Sequence, residues 1–157
     1  MFFAARFLGE PMMTLWQFLR LLSVRLLRWS LLSILVGVLF VIGKDIFWRG
    51  FGLQAIVWGI VDGVIATFGW RSAGRKEAEL MTWEQVGAEA RKLRRILWIN
   101  AGLDILYIAG GMALILKPGA DSLFWSGTGW GIVVQGAFLL FFDTFHVHQI
   151  NGEHVEI

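Results

Sequence analysis

The sequence predicts an all-α four-helix transmembrane bundle preceded by an interfacial amphipathic N-terminal helix, and three observations carry that expectation. The 157 residues are 57% hydrophobic and only 17% charged, with a mean hydropathy of +0.64. Four stretches approach the roughly 20 apolar residues that a helix needs to cross the hydrocarbon of a bilayer. The 14 Lys and Arg fall in blocks between those stretches, so the net charge of +2 hides a strong pattern. This balance argues against disorder, a collagenous repeat or an ordinary soluble enzyme. The absence of cysteine excludes a disulfide scaffold, a thiolate metal site and a Cys nucleophile.

The first span runs from Trp29 to Ile42, with no charge between Arg28 and Lys44. The second is Phe51 to Gly69, interrupted by Asp62; the third is Ile96 to Leu116, interrupted by Asn100 and Asp104; the fourth is Leu123 to about Phe145, with Gln135 and Asp143. Short links inside the pairs 1–2 and 3–4, and a long one between spans 2 and 3, predict two helical hairpins. Residues 1–28 form an N-terminal amphipathic segment, 29–147 the transmembrane domain with its 70–95 connection, and 148–157 a cytoplasmic tail. Residues 12–28 place three arginines on one side of a helix and Leu, Phe and Trp on the other. That pattern fits a helix lying on an anionic leaflet. It equally fits a cytoplasmic extension of the first span with snorkelling arginines. In the connection, Thr82-Trp-Glu-Gln85 has the form of a capping box. The third helix is therefore expected to begin near Trp83 and run unbroken into the membrane. The N-terminus lacks the short apolar core and small-residue cleavage site of a signal peptide.

Counting Lys and Arg sets the orientation. Arg6, Arg20, Arg25 and Arg28 and seven basic residues of the 70–95 segment oppose only Lys44, Arg49 and Lys117. The positive-inside rule then puts both termini and the long connection in the cytoplasm of a multi-pass inner-membrane protein. The expected partners are the lipid bilayer, anionic headgroups at the basic segments, and partner helices or a second copy of the chain; juxtamembrane charge needs no nucleic acid to explain it.

Polar side chains inside the spans are the candidate chemistry. Asp62 and Asp104 each lie eight residues from the cytoplasmic end of their span, about 12 Å in at the helical rise. On the second span the 3–4 spacing through Asp62 collects Gly52, Ala55, Gly59, Ala66 and Gly69, a small-residue packing face. On the third span the corresponding stripe is Leu97, Asn100, Asp104, Tyr107 and Gly111. The fourth offers Thr128, Gly131 and Gln135 on one stripe and Gly129, Gly136, Asp143 and His146 on its neighbour. The first offers Ser30, Ser33 and Gly37. The expected product is a cluster of Asp62, Asn100, Asp104, Tyr107 and Gln135, opening to the cytoplasm past Asp143 and His146. No Lys or Arg lies within the inner parts of these spans to neutralise the acids, and two nearby carboxylates in low dielectric do not readily both ionise. Intramembrane acids are functional candidates; protonated or water-bridged acids that only tie helices together are the other reading.

Asp143-x-x-His146-x-His148, followed by Glu153 and His154, has one acid-x-x-His motif, where a four-helix di-metal site needs two such motifs and further acids. No metal, cofactor or catalytic residue is assigned. A single His146 is thin support for binding a haem or pigment. Trp58-Gly-Ile-Val61 and Trp130-Gly-Ile-Val133 repeat one tetrapeptide, which suggests a duplicated hairpin, although spans 1 and 3 show no matching similarity. The stretches WGIVDG at 58–63, NAGLDILYIAGG at 100–111 and GWGIVVQGAFLLFFD at 129–143 resemble small bacterial four-helix membrane proteins grouped as a family of unknown function. That resemblance implies the helix count and no site residue. Two functions follow as expectations. One is a protein whose Asp62, Asn100, Asp104, Tyr107, Gln135 and Asp143 bind a proton, cation or polar ligand in transport or sensing. The alternative is an accessory or assembly subunit of a larger membrane complex. A membrane-embedded enzyme ranks below both.

Overall fold

Four long helices are joined by three short links. The computed structural model describes residues 13–79, 81–151 and 155–156. Helix α1 is Leu15–Ile42, α2 is Ile46–Glu77, α3 is Trp83–Leu116 and α4 is Leu123–Asn151, with a 3-10 turn at Pro118–Ala120. A two-residue parallel pairing joins Met13–Thr14, just before α1, to Val155–Glu156, after α4. Arg6, Glu153 and His154 lie outside the described residues.

Local sequence sets the helix starts. Thr14 accepts the amide of Gln17, whose side chain accepts the Thr14 amide in return. Thr82 and Gln85 form the same reciprocal pair at the start of α3, where the sequence predicts it. Asp45 accepts the amides of Phe47 at 2.8 Å and Trp48 at 3.3 Å and starts α2 earlier than hydropathy suggests. Pro118 opens the 3-10 turn after α3, where its missing N–H costs nothing. The helices outrun their apolar spans because hydropathy marks the bilayer, not the end of the backbone ladder. At 28 to 34 residues they are about 42 to 51 Å long, well beyond the roughly 30 Å of hydrocarbon. Most of the 70–95 connection and the start of the 148–157 tail are accordingly helical.

Of the two readings of residues 12–28, the structure has the extension of the first span. From Leu15 onward it is the first half of α1, with no break at residue 28 and no Pro or Gly until Gly37. Its apolar face is not spread on a membrane surface. Leu15, Phe18, Leu22 and Leu26 are buried in one cluster with Ala66, Ala90, Leu97, Phe142 and Val147 from the other three helices.

All four helices are long and apolar enough to cross a membrane, yet only 17 to 39% of each apolar window is buried. A soluble bundle turns its large apolar residues inward. Here the buried residues of α2 are Gly50, Gly52, Ala55, Gly59, Asp62, Ala66 and Ala73, while Leu53, Val57, Ile60, Val64 and Phe68 face outward. Small and polar inside with large and apolar outside is how a multi-pass membrane protein distributes its side chains.

Packing follows the glycines. Helix α1 lies antiparallel on α2, with Gly37 opposite Gly52, Ser30 opposite Gly59 and Gly63, and Ser23 opposite Gly69. Ser30 Oγ donates to the Gly59 carbonyl at 2.6 Å. Helix α3 lies antiparallel on α4 through Gly111, Gly129 and Gly136. Helices α2 and α4 run parallel and join the two hairpins at the tightest crossing. A Cβ at Gly127 would stand 1.9 Å from the Phe47 carbonyl oxygen, and one at Gly50 would stand 2.2 Å from that of Phe124.

The two hairpins are one motif used twice. In the first, Gly37 sits on the Gly52 carbonyl and Gly59 on the Ile34 side chain; in the second, Gly111 sits on the Gly129 carbonyl and Gly136 on the Ile108 side chain. Gly50 and Gly127 then correspond across the approximate twofold axis between α2 and α4. The extra residues of the α3–α4 link, 117–122 against 43–45, account for the changed spacing. This register replaces the one given by the two Trp-Gly-Ile-Val tetrapeptides. In those, Gly59 faces α1 whereas Gly131 faces Gln54 of α2, so they are not equivalent positions.

Candidate functional site

One small cavity lies among all four helices. Its volume is about 170 Å3, and its walls include Asp62 and Trp58 of α2, Asn100 and Asp104 of α3, Asp143 of α4 and Leu26 of α1. The repeat register of each helix explains why these side chains point inward. Asp62 is on the glycine-alanine face of α2. Asp104 lies one turn along from Asn100 and two turns from Gly111 on the face of α3 that packs against α4. Asp143 continues the Gly129–Gly136 stripe of α4. Exposure is 2% for Asp62, 8% for Asp104 and 6% for Asp143, so three carboxyl groups are taken from solvent together.

Their partners are unequal. Gln135, itself buried, donates from Nε2 to Asp62 Oδ2 at 2.7 Å. Asn100 faces Asp143 from the more exposed rim of the cavity. Asp104 keeps one carboxylate oxygen, Oδ2, buried with no hydrogen-bond partner. Each acid lies within electrostatic reach of another: Asp62 of Asp104, and Asp143 of both. Among the described residues no basic side chain lines the cavity. An unpaired carboxylate in such surroundings costs several kcal/mol unless a proton, water or cation compensates it. The cavity has room for a few water molecules.

Tyr107 sits one helical turn from Asp104 but does not line this cavity. Its hydroxyl accepts from Gln54 Nε2 at 2.5 Å and from the indole N–H of Trp58, with the two rings edge to face at 4.7 Å. Tyr107 therefore holds Trp58 as one wall and belongs to a second polar group beside the acids. Sequence reasoning missed Gln54 and the cavity-lining role of Trp58. The signal for Gln54 was present, since it is an amide in the apolar run 51–61 one helical step from the Gly50 packing face.

His146 departs from the expected mouth of the acid cluster. Its Nδ1 meets the Phe142 carbonyl at 2.6 Å, leaving Nε2 to accept from Arg25 Nη1 at 3.1 Å. One ring nitrogen is tied back to its own helix and the other to Arg25 of α1, and His146 does not line the cavity. Among the described residues no three His, Asp or Glu side chains are arranged to hold a metal ion.

Neither curated proteins nor solved structures give a match to the chain. A family model matches residues 25–144, from the middle of α1 to the end of the acid-bearing stretch of α4, and includes all six candidate binding residues. By that match the chain belongs to a family of unknown function, DUF6992.

Proposed function

We propose that the protein is a multi-pass protein of the cell membrane, with both termini in the cytoplasm, that binds protons at Asp62, Asp104 and Asp143. The observation that carries this reading is the buried, unpartnered Oδ2 of Asp104 in a cavity shared with two more acids and no cation. A proton satisfies such an oxygen without the converging ligands that a bound metal ion requires. Gln135 fixes Asp62 as an acceptor, and Asn100 at the rim gives Asp143 a polar route outward. Three acids that exchange protons through a few waters are suited to sensing pH or to handing protons across the cytoplasmic half of the membrane.

Infrared pH-difference spectra of the purified protein test this reading, using D62N, D104N and D143N with circular dichroism as the check of folding. Wild type should show carboxyl bands that disappear one at a time in the variants. Spectra of the triple variant indistinguishable from wild type would remove the proposal. The accessory-subunit reading has its own support in Gly102 and Gly110, which face open space on α3 and leave room for a partner helix. Native mass spectrometry in gentle detergent separates the two, because a self-contained monomer that titrates favours the proton site alone.

A further inference from the structure

We infer that the groove between α1 and α4 binds one anionic phospholipid. The groove holds about 480 Å3 and is walled by Trp29, Leu32, Phe138, Phe141 and Phe145, with Arg25 and Arg28 at its head. Trp29 is stacked on Phe138 at 3.6 Å between ring centroids, and Phe141 on Phe145 at 5.9 Å. With Leu32 these rings give the groove an apolar lining about two turns long, roughly 10 Å, from Arg25 to Leu32. An acyl chain fits such a slot.

The head of the groove is a built site. His146, 2% exposed, donates to the Phe142 carbonyl and so presents a lone pair to Arg25, whose guanidinium also reaches Gln149 at 3.5 Å. Both partners are uncharged in this arrangement, so they aim the guanidinium without neutralising it. Among the described residues neither Arg25 nor Arg28 has a carboxylate partner, in contrast to Arg20 with Glu77 and Lys76 with Glu89. Two unneutralised guanidinium groups above an aromatic slot are complementary to a phosphate diester above an acyl chain.

The internal repeat supplies a control. The twofold-related groove, between α3 and α2, carries Ile99, Gly102 and Leu103 where α1 has Arg25, Arg28 and Trp29. It carries Val61, Val64 and Phe68 where α4 has Phe138, Phe141 and Phe145. The fold therefore needs no charge and few rings at this place. The α1–α4 groove has acquired both.

Native mass spectrometry of the full chain, with phosphatidylglycerol or phosphatidylcholine added to the detergent, tests the inference. Wild type should retain one phosphatidylglycerol and release phosphatidylcholine. Affinity should fall about fivefold for R25Q or R28Q and roughly thirtyfold for both, the ordinary contribution of a basic residue at an anionic lipid. R71Q/R75Q, at the same end but outside the groove, should bind as wild type does. Equal retention of the two lipids, an unaffected R25Q/R28Q, or an equal loss in R71Q/R75Q would overturn the proposal. So would displacement of the lipid by inorganic phosphate at matched concentration, because the slot would then add nothing. The D62N, D104N and D143N variants should leave lipid retention unchanged, which keeps this outcome separate from that of the acid site.

Discussion

Gly127→Ala is the sharpest test of the helix arrangement, because the added methyl has nowhere to go. Its Cβ would lie 1.9 Å from the Phe47 carbonyl oxygen and 2.7 Å from the carbonyl carbon, whereas real Cβ contacts essentially never fall below 3.0 Å. The obstacle is backbone, so no rotamer change relieves it, and α4 must move from α2 by about 1 Å over several residues. Overpacking of this kind costs about 1–3 kcal/mol, more when nothing flexible can yield. The gain from replacing a mid-helix glycine is at most about 1 kcal/mol. A net loss of about 2 kcal/mol is therefore expected for G127A and, by the 2.2 Å contact of its counterpart, for G50A. Gly102 and Gly110 are the internal control, since a Cβ at either meets nothing within 4 Å. G102A and G110A should be neutral or stabilising by up to about 1 kcal/mol. Reversible unfolding in mixed detergent micelles, monitored by circular dichroism, measures all four. If G127A and G50A unfold no earlier than G102A and G110A, the close parallel crossing of α2 and α4 is wrong, and with it the position of the acid cavity.

Three further outcomes follow from the site. Q135L strands Asp62 Oδ2 and should cost about 1–3 kcal/mol, most of it recovered in D62L/Q135L; a double-mutant cycle in the same assay checks this, and additive losses would deny the bond. D104L removes a buried oxygen that has no partner and fills cavity space, so it should stabilise the fold by about 1 kcal/mol or more while abolishing its infrared carboxyl band. A destabilised but correctly assembled D104L would mean that Asp104 has a structural partner. Y107F takes the acceptor from the Trp58 indole N–H, so the Trp58 indole N–H resonance should move in NMR spectra while those of Trp48 and Trp125, outside this contact, stay in place.

Much of the architecture was legible because membrane crossing imposes a coarse and strong pattern. Four apolar runs and a reciprocal Thr82–Gln85 cap leave few alternatives for where helices lie. The inward face of α2 was equally plain, since Gly52, Ala55, Gly59, Asp62 and Ala66 share one stripe and all are buried. Spacing also separated the two faces of α4: Thr128, Gly131 and Gln135 meet α2, while Gly129 and Gly136 meet α3. What spacing does not carry is which side chain answers which across a gap between helices. His146 shares a stripe with Asp143, yet its ring meets Arg25 of α1. Tyr107 shares a stripe with Asp104, yet its longer reach takes the hydroxyl to Gln54 and Trp58.

The chain's composition and periodicity determined by themselves that four helices form, where α3 and α4 begin, and which stripe of each helix is small or polar, because those properties are set by solvent and by one helix at a time. Only the tertiary structure decided that the two hairpins repeat one motif and that α2 and α4 cross with backbones in contact. It alone gathered Asp62, Asp104 and Asp143 around one cavity while turning the Arg25–His146 pair to another face. Those outcomes depend on rotations of a few tens of degrees between packed helices, and such rotations are fixed by contacts between residues far apart in the chain.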